Sequence, residues 1–101
     1  MKYILQVDFP HDGAFKEALA DAFTDLAEDI KTEDGLIWKI WTENEETKEA
    51  GGIYLFDTKE NAEKYSQKHI KRLESFDYTN IRAKIYEVNE KLSAITKAQL
   101  G

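Results

Sequence analysis

The sequence predicts an α+β protein of the ferredoxin-like class, in which a four-stranded antiparallel sheet carries two helices on one face. Apolar positions alternate in four short segments, and they recur every three or four residues in two longer ones. These segments follow one another in the order β-α-β-β-α-β, which right-handed crossovers fold into two split β-α-β units. Because 101 residues suit a single core, we expect residues 1–101 to form one domain.

The first strand and the first helix have the clearest patterns. Residues 3–9 alternate apolar with mixed positions and are predicted to form a strand. A Pro-His-Asp-Gly turn follows, in which we expect His11 to be exposed and Asp12 to cap the next helix. Residues 14–31 are predicted to form an amphipathic helix from the spacing of six apolar residues: Phe15, Leu19, Ala22, Phe23, Leu26 and Ile30.

The second half repeats the pattern with a hairpin first. LIWKIWT at 36–42 is rich in β-branched and aromatic residues, and GGIYLF at 51–56 returns across a polar loop as its partner strand. A last strand over 80–88 and a short terminal helix over 90–100 complete the chain. Between the hairpin and the last strand lies a second helix, which begins after Thr58 and carries one apolar stripe: Ala62, Tyr65, His69 and Leu73.

Composition and motifs exclude several classes of function. The net charge of −6 disfavours nucleic acid and anionic membranes as partners, and a chain without cysteine has no disulfide, thiolate metal site or cysteine nucleophile. Two distant histidines make no metal site, and no phosphate loop or dinucleotide fingerprint is present, so we expect neither metal nor cofactor. Without a long apolar run or a signal-peptide pattern, cytoplasmic residence is the expectation.

Both faces of the sheet are predicted to be covered. Alternation along the second strand places Trp38 on the helix side and Trp41 on the opposite side. That opposite side is too apolar for water and too polar for a dry core, with Ile37, Trp41 and Tyr86 at its centre and charged residues, among them Lys39, around them. We therefore expect two copies to pack sheet to sheet as a homodimer, a dimeric α+β barrel. A monomer with scattered aromatic residues is the alternative.

His69 is the candidate reactive residue, because its place on the apolar stripe points it at the sheet. It could act as a general base or orient a substrate, and a packed core histidine is the alternative. Gly52 could allow a ligand to approach bare backbone, although a bulge or turn would also require glycine. One apolar cavity suited to a small molecule could be lined by four aromatic residues: Trp38, Tyr54, Phe56 and Tyr65. Packing in the hydrophobic core is the alternative explanation for the same four residues.

Two sequence blocks, WKIWTE at 38–43 and AGGIYLF at 50–56, resemble the YdhR family of putative monooxygenases. The resemblance covers essentially the whole chain and continues through shorter matches at 68–69, 72–73, 83–84, 88–90 and 92–93. The family is grouped with the antibiotic-biosynthesis monooxygenase type of dimeric α+β barrel. It therefore implies the same architecture that the element order predicts.

The resemblance also implies an activity. Relatives of this type oxidise an aromatic or quinol-like compound with dioxygen and without a cofactor, in a cavity between sheet and helices. On this chain the resemblance implies His69 as base or orienting group, Trp38 and Tyr54 as pocket wall or donors, and Tyr65 as support. A non-catalytic dimeric module that binds a small apolar molecule or another protein in the same cavity is the alternative function.

Overall fold

The computed structural model describes all 101 residues and confirms the predicted fold class and element order. The four strands form one antiparallel sheet in the order β2-β3-β1-β4. None of the helices has the length and apolar character needed to cross a membrane. The elements are β1 Tyr3–Pro10, α1 Glu17–Ile30, β2 Leu36–Asn44, β3 Glu49–Phe56, α2 Lys59–Ser75, β4 Arg82–Glu87 and α3 Glu90–Ile95.

The core lies between the sheet and α2. The stripe predicted for α2 is the buried one, and Thr58 caps this helix by accepting a hydrogen bond from the N–H of Asn61. Leu5 and Val7 of β1 and Tyr54 and Phe56 of β3 point at the same helix and are almost completely buried. This side is called the helix face below, and the other side of the sheet is the outer face.

The turn before α1 differs from its prediction in two ways. His11 is buried, and both ring nitrogens have partners: Nε2 donates to the carbonyl of Ala14 at 2.7 Å and Nδ1 bonds the hydroxyl of Tyr78 at 2.7 Å. Asp12 does not cap α1, which begins three residues later than the spacing predicted. The residue before the helix is Lys16, whose N–H donates to Glu43 at 2.6 Å. The predictions for His11 and Asp12 are therefore wrong.

A β-bulge at Ile37 decides which side chains of β2 face inward. Leu36 lies opposite Phe56 and Trp38 lies opposite Leu55, so Ile37 is an extra residue without a partner of its own. Because side chains alternate along a strand, one extra residue exchanges the faces of everything beyond it. Lys39 and Trp41 consequently lie on the helix face.

The predicted faces of the two tryptophans are therefore wrong. Trp38 lies on the outer face, where its indole Nε1 donates to the carbonyl of Gln99 at 2.7 Å. Trp41 lies on the helix face and stacks on Phe23 of α1, with ring centroids 6.2 Å apart. The prediction assumed strict alternation along 36–42, and the bulge breaks that alternation before either tryptophan.

The chain end differs as well. The terminal helix was predicted to reach residue 100, but α3 ends at Ile95 and Lys97 adopts a φ of 73°. The last residues then run back to β2, where Gln99 accepts the bond from Trp38 and Gly101 lies beside Ile37.

Candidate active site

Lys39 is the most unusual residue on the helix face. Its Nζ lies 3.3 Å from the centre of the Trp41 ring and 4.6 Å from that of Tyr54. No acidic side chain forms an ion pair with it, although eight other cationic residues are paired with acids: Lys2, Lys16, Lys31, Lys48, Lys64, Lys68, Arg72 and Arg82. The negative faces of the two rings are therefore its main electrostatic partners.

Gly52 makes room for this lysine. A Cβ at position 52 would lie 2.6 Å from Cε of Lys39 and 3.3 Å from Cε1 of Tyr54. The close approach that was expected at Gly52 is thus the approach of the Lys39 side chain. A bulge was the other reason given for a glycine at position 52, but the bulge lies in β2, at Ile37.

His69 stands at one end of a hydrogen-bonded series on the helix face. Its Nδ1 accepts from Nη2 of Arg72 at 3.1 Å, and a guanidinium only donates, so the neutral imidazole carries its proton on Nε2. Arg72 also donates to the hydroxyl of Tyr65 at 3.3 Å and pairs with Asp29 at 3.2 Å. The Tyr65 hydroxyl in turn donates to that of Tyr54 at 3.4 Å.

The environment sets the protonation of these groups. Burial, and then the charge of Arg72, lowers the pKa of Lys39 to about 7, so amine and ammonium coexist at neutral pH. Burial, followed by the charges of Lys39 and Arg72, lowers the pKa of His69 to about 3. Burial raises the pKa of Tyr65 to about 12 and also raises that of Tyr54. At pH 7 His69 is therefore a neutral N–H donor and a poor proton acceptor, which does not suit the base role predicted for it.

A small, mostly apolar cleft separates α1 and α2 from the sheet beside these groups. Its volume is about 20 Å³, room for about one water molecule, and Lys39, Trp41 and His69 all border it. Phe23 and Trp41 also border an open groove of about 360 Å³ along α1. The stacked pair of these two rings therefore forms the wall between cleft and groove.

The structure gathers most of the residues predicted for the site. Tyr54, Tyr65 and His69 contact one another through their rings, and Phe56 packs against both tyrosines beneath them. Trp38 is excluded, because it lies on the other side of the sheet.

Sequence reasoning missed three members of the site. Lys39 and Trp41 were assigned outward because the bulge at Ile37 was not foreseen. Arg72 was not considered, although its position three residues after His69 puts both on one face of α2. Of the residues predicted for a dimer interface, Tyr86 lies on the outer face opposite Ile4, Ile37 is the half-buried bulge residue beside Gly101, and Trp41 lies on the helix face.

A family model described as "Putative mono-oxygenase ydhR" matches residues 4–99. The chain belongs to the ydhR family. The match includes every residue of the cleft and of the Lys39 surroundings.

Two solved structures share the fold of this ydhR family member. A putative antibiotic biosynthesis monooxygenase from Deinococcus radiodurans is 14% identical, with a TM-score of 0.63 over 86% of this chain and 92% of that one. Protein YJCS is 16% identical, with a TM-score of 0.60 over 87% of this chain and 98% of that one. A search of curated proteins finds no match to this chain.

Replacing Lys39 by methionine should stabilise the free protein below pH 7, where the wild type buries an ammonium without an acidic partner. The advantage should shrink between pH 7 and 10.5, because folded Lys39 is then neutral while the unfolded chain keeps the proton up to the ordinary pKa of 10.5. Urea unfolding at pH 6, 8 and 10 measures the difference.

Lys71→Met is the matched control, because Lys71 is exposed on the same helix as His69. It should change the free energy of unfolding by no more than about 0.5 kcal/mol at each pH. A Lys39→Met protein that is destabilised equally at all three values would contradict the burial of an unpaired charge.

Proposed function

We propose that this ydhR family protein is a monooxygenase that oxidises a small aromatic or quinol-like compound with dioxygen and needs no cofactor. Family membership supports the monooxygenase class, and the Deinococcus neighbour is described in the same terms. The observation that carries the proposal is the composition of the cleft. Aromatic side chains of Phe9, Phe23 and Trp41 surround two polar groups that can hold an anion, Lys39 and His69.

The proposed reaction needs no reductant other than the substrate. The proposed substrate carries a ring CH₂ group, and its enol tautomer is a phenol. Oxidation converts this CH₂ group into C=O: one oxygen atom of O₂ becomes the carbonyl oxygen, and the other leaves as water. The four electrons come from the carbon that is oxidised. The tasks of the protein are to bind the ring, help remove its acidic proton, stabilise the anion that reacts with O₂ and keep water away.

An aromatic ring enters this cleft only if a wall moves, because 20 Å³ holds about one water molecule. The stacked rings of Phe23 and Trp41 are the proposed moving part, since rotating them would join the cleft to the 360 Å³ groove. Only Leu19 and Ile30 of α1 are fully buried, which suits a helix that can shift against the sheet.

Oxygen uptake tests the proposed activity after a thermal-shift screen of phenols and hydroquinones. We expect a hit to be consumed with one O₂ per substrate, and His69→Ala to lower kcat about tenfold or more because the anion loses a positioned N–H donor. Trp41→Phe should alter turnover, whereas Trp38→Phe should not, since Trp38 lies on the outer face.

Stabilisation by ligands without consumption of oxygen or ligand would contradict the monooxygenase proposal and favour the non-catalytic binding module. Turnover lost in Trp38→Phe and kept in Trp41→Phe would contradict the location of the site.

We also propose that the outer face pairs with a second copy of the chain. Ile40 and Tyr86 are 54% and 45% exposed there, in the sheet that also carries Trp38 and Ile53 on this face. Large exposed apolar side chains that share one sheet face are typical of an interface, and two sheets can pack face to face about a two-fold axis. Tyr86 keeps its predicted place in this interface, and Ile40 takes the one predicted for Trp41.

Light scattering at micromolar concentration should give the wild type twice the chain mass of 11.7 kDa. Ile40→Glu should give single chains, because a carboxylate buried between the sheets costs several kcal/mol. Thr47→Glu adds the same charge in the exposed β2–β3 loop and should stay dimeric. A wild type with the mass of one chain would contradict the dimer.

A further inference from the structure

We propose that Lys39 ionises the ligand: its amine accepts the proton of an acidic aromatic hydroxyl, and the ammonium then pairs with the oxyanion. This deepens the proposed function and rests on its cleft and its aromatic ligand. The geometry that points to it is a lysine on the helix face whose Nζ contacts two ring faces and no carboxylate.

The other polar groups of the site are already engaged. Nδ1 of His69 accepts from Arg72, and the Tyr65 hydroxyl accepts from the Arg72 guanidinium and donates to the Tyr54 hydroxyl. No aspartate or glutamate borders the cleft. Lys39 is therefore the cleft residue whose basic atom has no hydrogen-bond partner in the protein.

The proposed step is a proton transfer and is balanced. The O–H bond of the ligand breaks, its electron pair stays on oxygen, and the lone pair of Nζ takes the proton. A neutral phenol and a neutral amine become a phenolate and an ammonium, so the net charge of the complex does not change. The N–H at Nε2 of His69 can supply a second hydrogen bond to the same oxyanion.

The groups around Lys39 favour that ion pair. From α2, His69 and Arg72 face it, and from β3, Tyr54 does. The cleft-lining residues of α1 are apolar. Lys31, which directly follows α1, does not border the cleft, and it borders a neighbouring groove together with Lys39. None of these groups is an anion, so a bound phenolate would be the first acidic partner of the ammonium. Burial lowers the pKa of Lys39 to about 7, which keeps part of the amine neutral and able to accept the proton.

The test uses 4-nitrophenol as the probe, because its phenolate absorbs visible light and its phenol form does not. A pH titration with and without saturating protein should show the pKa of the bound probe lowered by about one unit, which is about tenfold more phenolate below that pKa. Lys39→Met should abolish the shift, and Lys71→Met should keep it. Circular dichroism and thermal unfolding show whether each variant is folded.

Binding of nitrobenzene provides the second comparison, because it lacks the hydroxyl. We expect the wild type to bind 4-nitrophenol at least tenfold more tightly than nitrobenzene, and Lys39→Met to lose that preference. A wild type that shows no preference, or that binds neither compound, would overturn the proposal. A lowered pKa of bound 4-nitrophenol that persists in folded Lys39→Met would also overturn the proposal.

The outcome is separable from that of the proposed function, since the probe assay involves no oxygen. A Lys39-dependent shift in a protein that oxidises no ligand would overturn the monooxygenase proposal and leave the role of Lys39 intact. Oxygen uptake that is unchanged in Lys39→Met would overturn the proposed role of Lys39 and leave the monooxygenase proposal intact.

Discussion

A half-buried ammonium without an acidic partner is the constraint on which the rest of the site depends. Lys39 can lie there only because Trp41 and Tyr54 offer their ring faces and Gly52 leaves space beside its stem. Burial, followed by this charge and that of Arg72, lowers the pKa of His69 and keeps its imidazole neutral. One side chain thus links the glycine pair of β3, the second tryptophan and the buried histidine of α2 into a single arrangement.

Most of the fold could be predicted from periodicity, because alternation and three-to-four spacing follow directly from burial on one side of a strand or helix. The α2 stripe of Tyr65 and His69 is an example, and the structure buries both. The bulge at Ile37 could not be predicted in this way. Apolar residues occupy both faces of β2, so the pattern of apolar residues alone does not fix which side chains point at the helices.

The residues of the site on α2 and β3 were predicted in part, and those on β2 were not. His69, Tyr65 and Tyr54 lie together, as the apolar stripe and the third strand indicated. Arg72 could have been predicted from the same helical spacing, because it follows His69 by three residues. Lys39 was not predicted for the site, because a lysine between Trp38 and Ile40 is typical of an exposed position. The bulge turns its side chain inward. Protonation states depend on burial in three dimensions, so no sequence pattern could assign the neutral imidazole or the lowered pKa of Lys39.

Membership of the ydhR family supports the monooxygenase class, and the proposal that its cleft holds an aromatic anion depends on the state of Lys39. The most direct measurement is an NMR titration of its side chain, with ¹³C-labelled lysine and Lys39→Met to assign the signal. We predict a midpoint near pH 7 for Lys39, far below the ordinary 10.5. A Lys39 midpoint at the ordinary value would contradict the buried, unpaired amine and the site built around it.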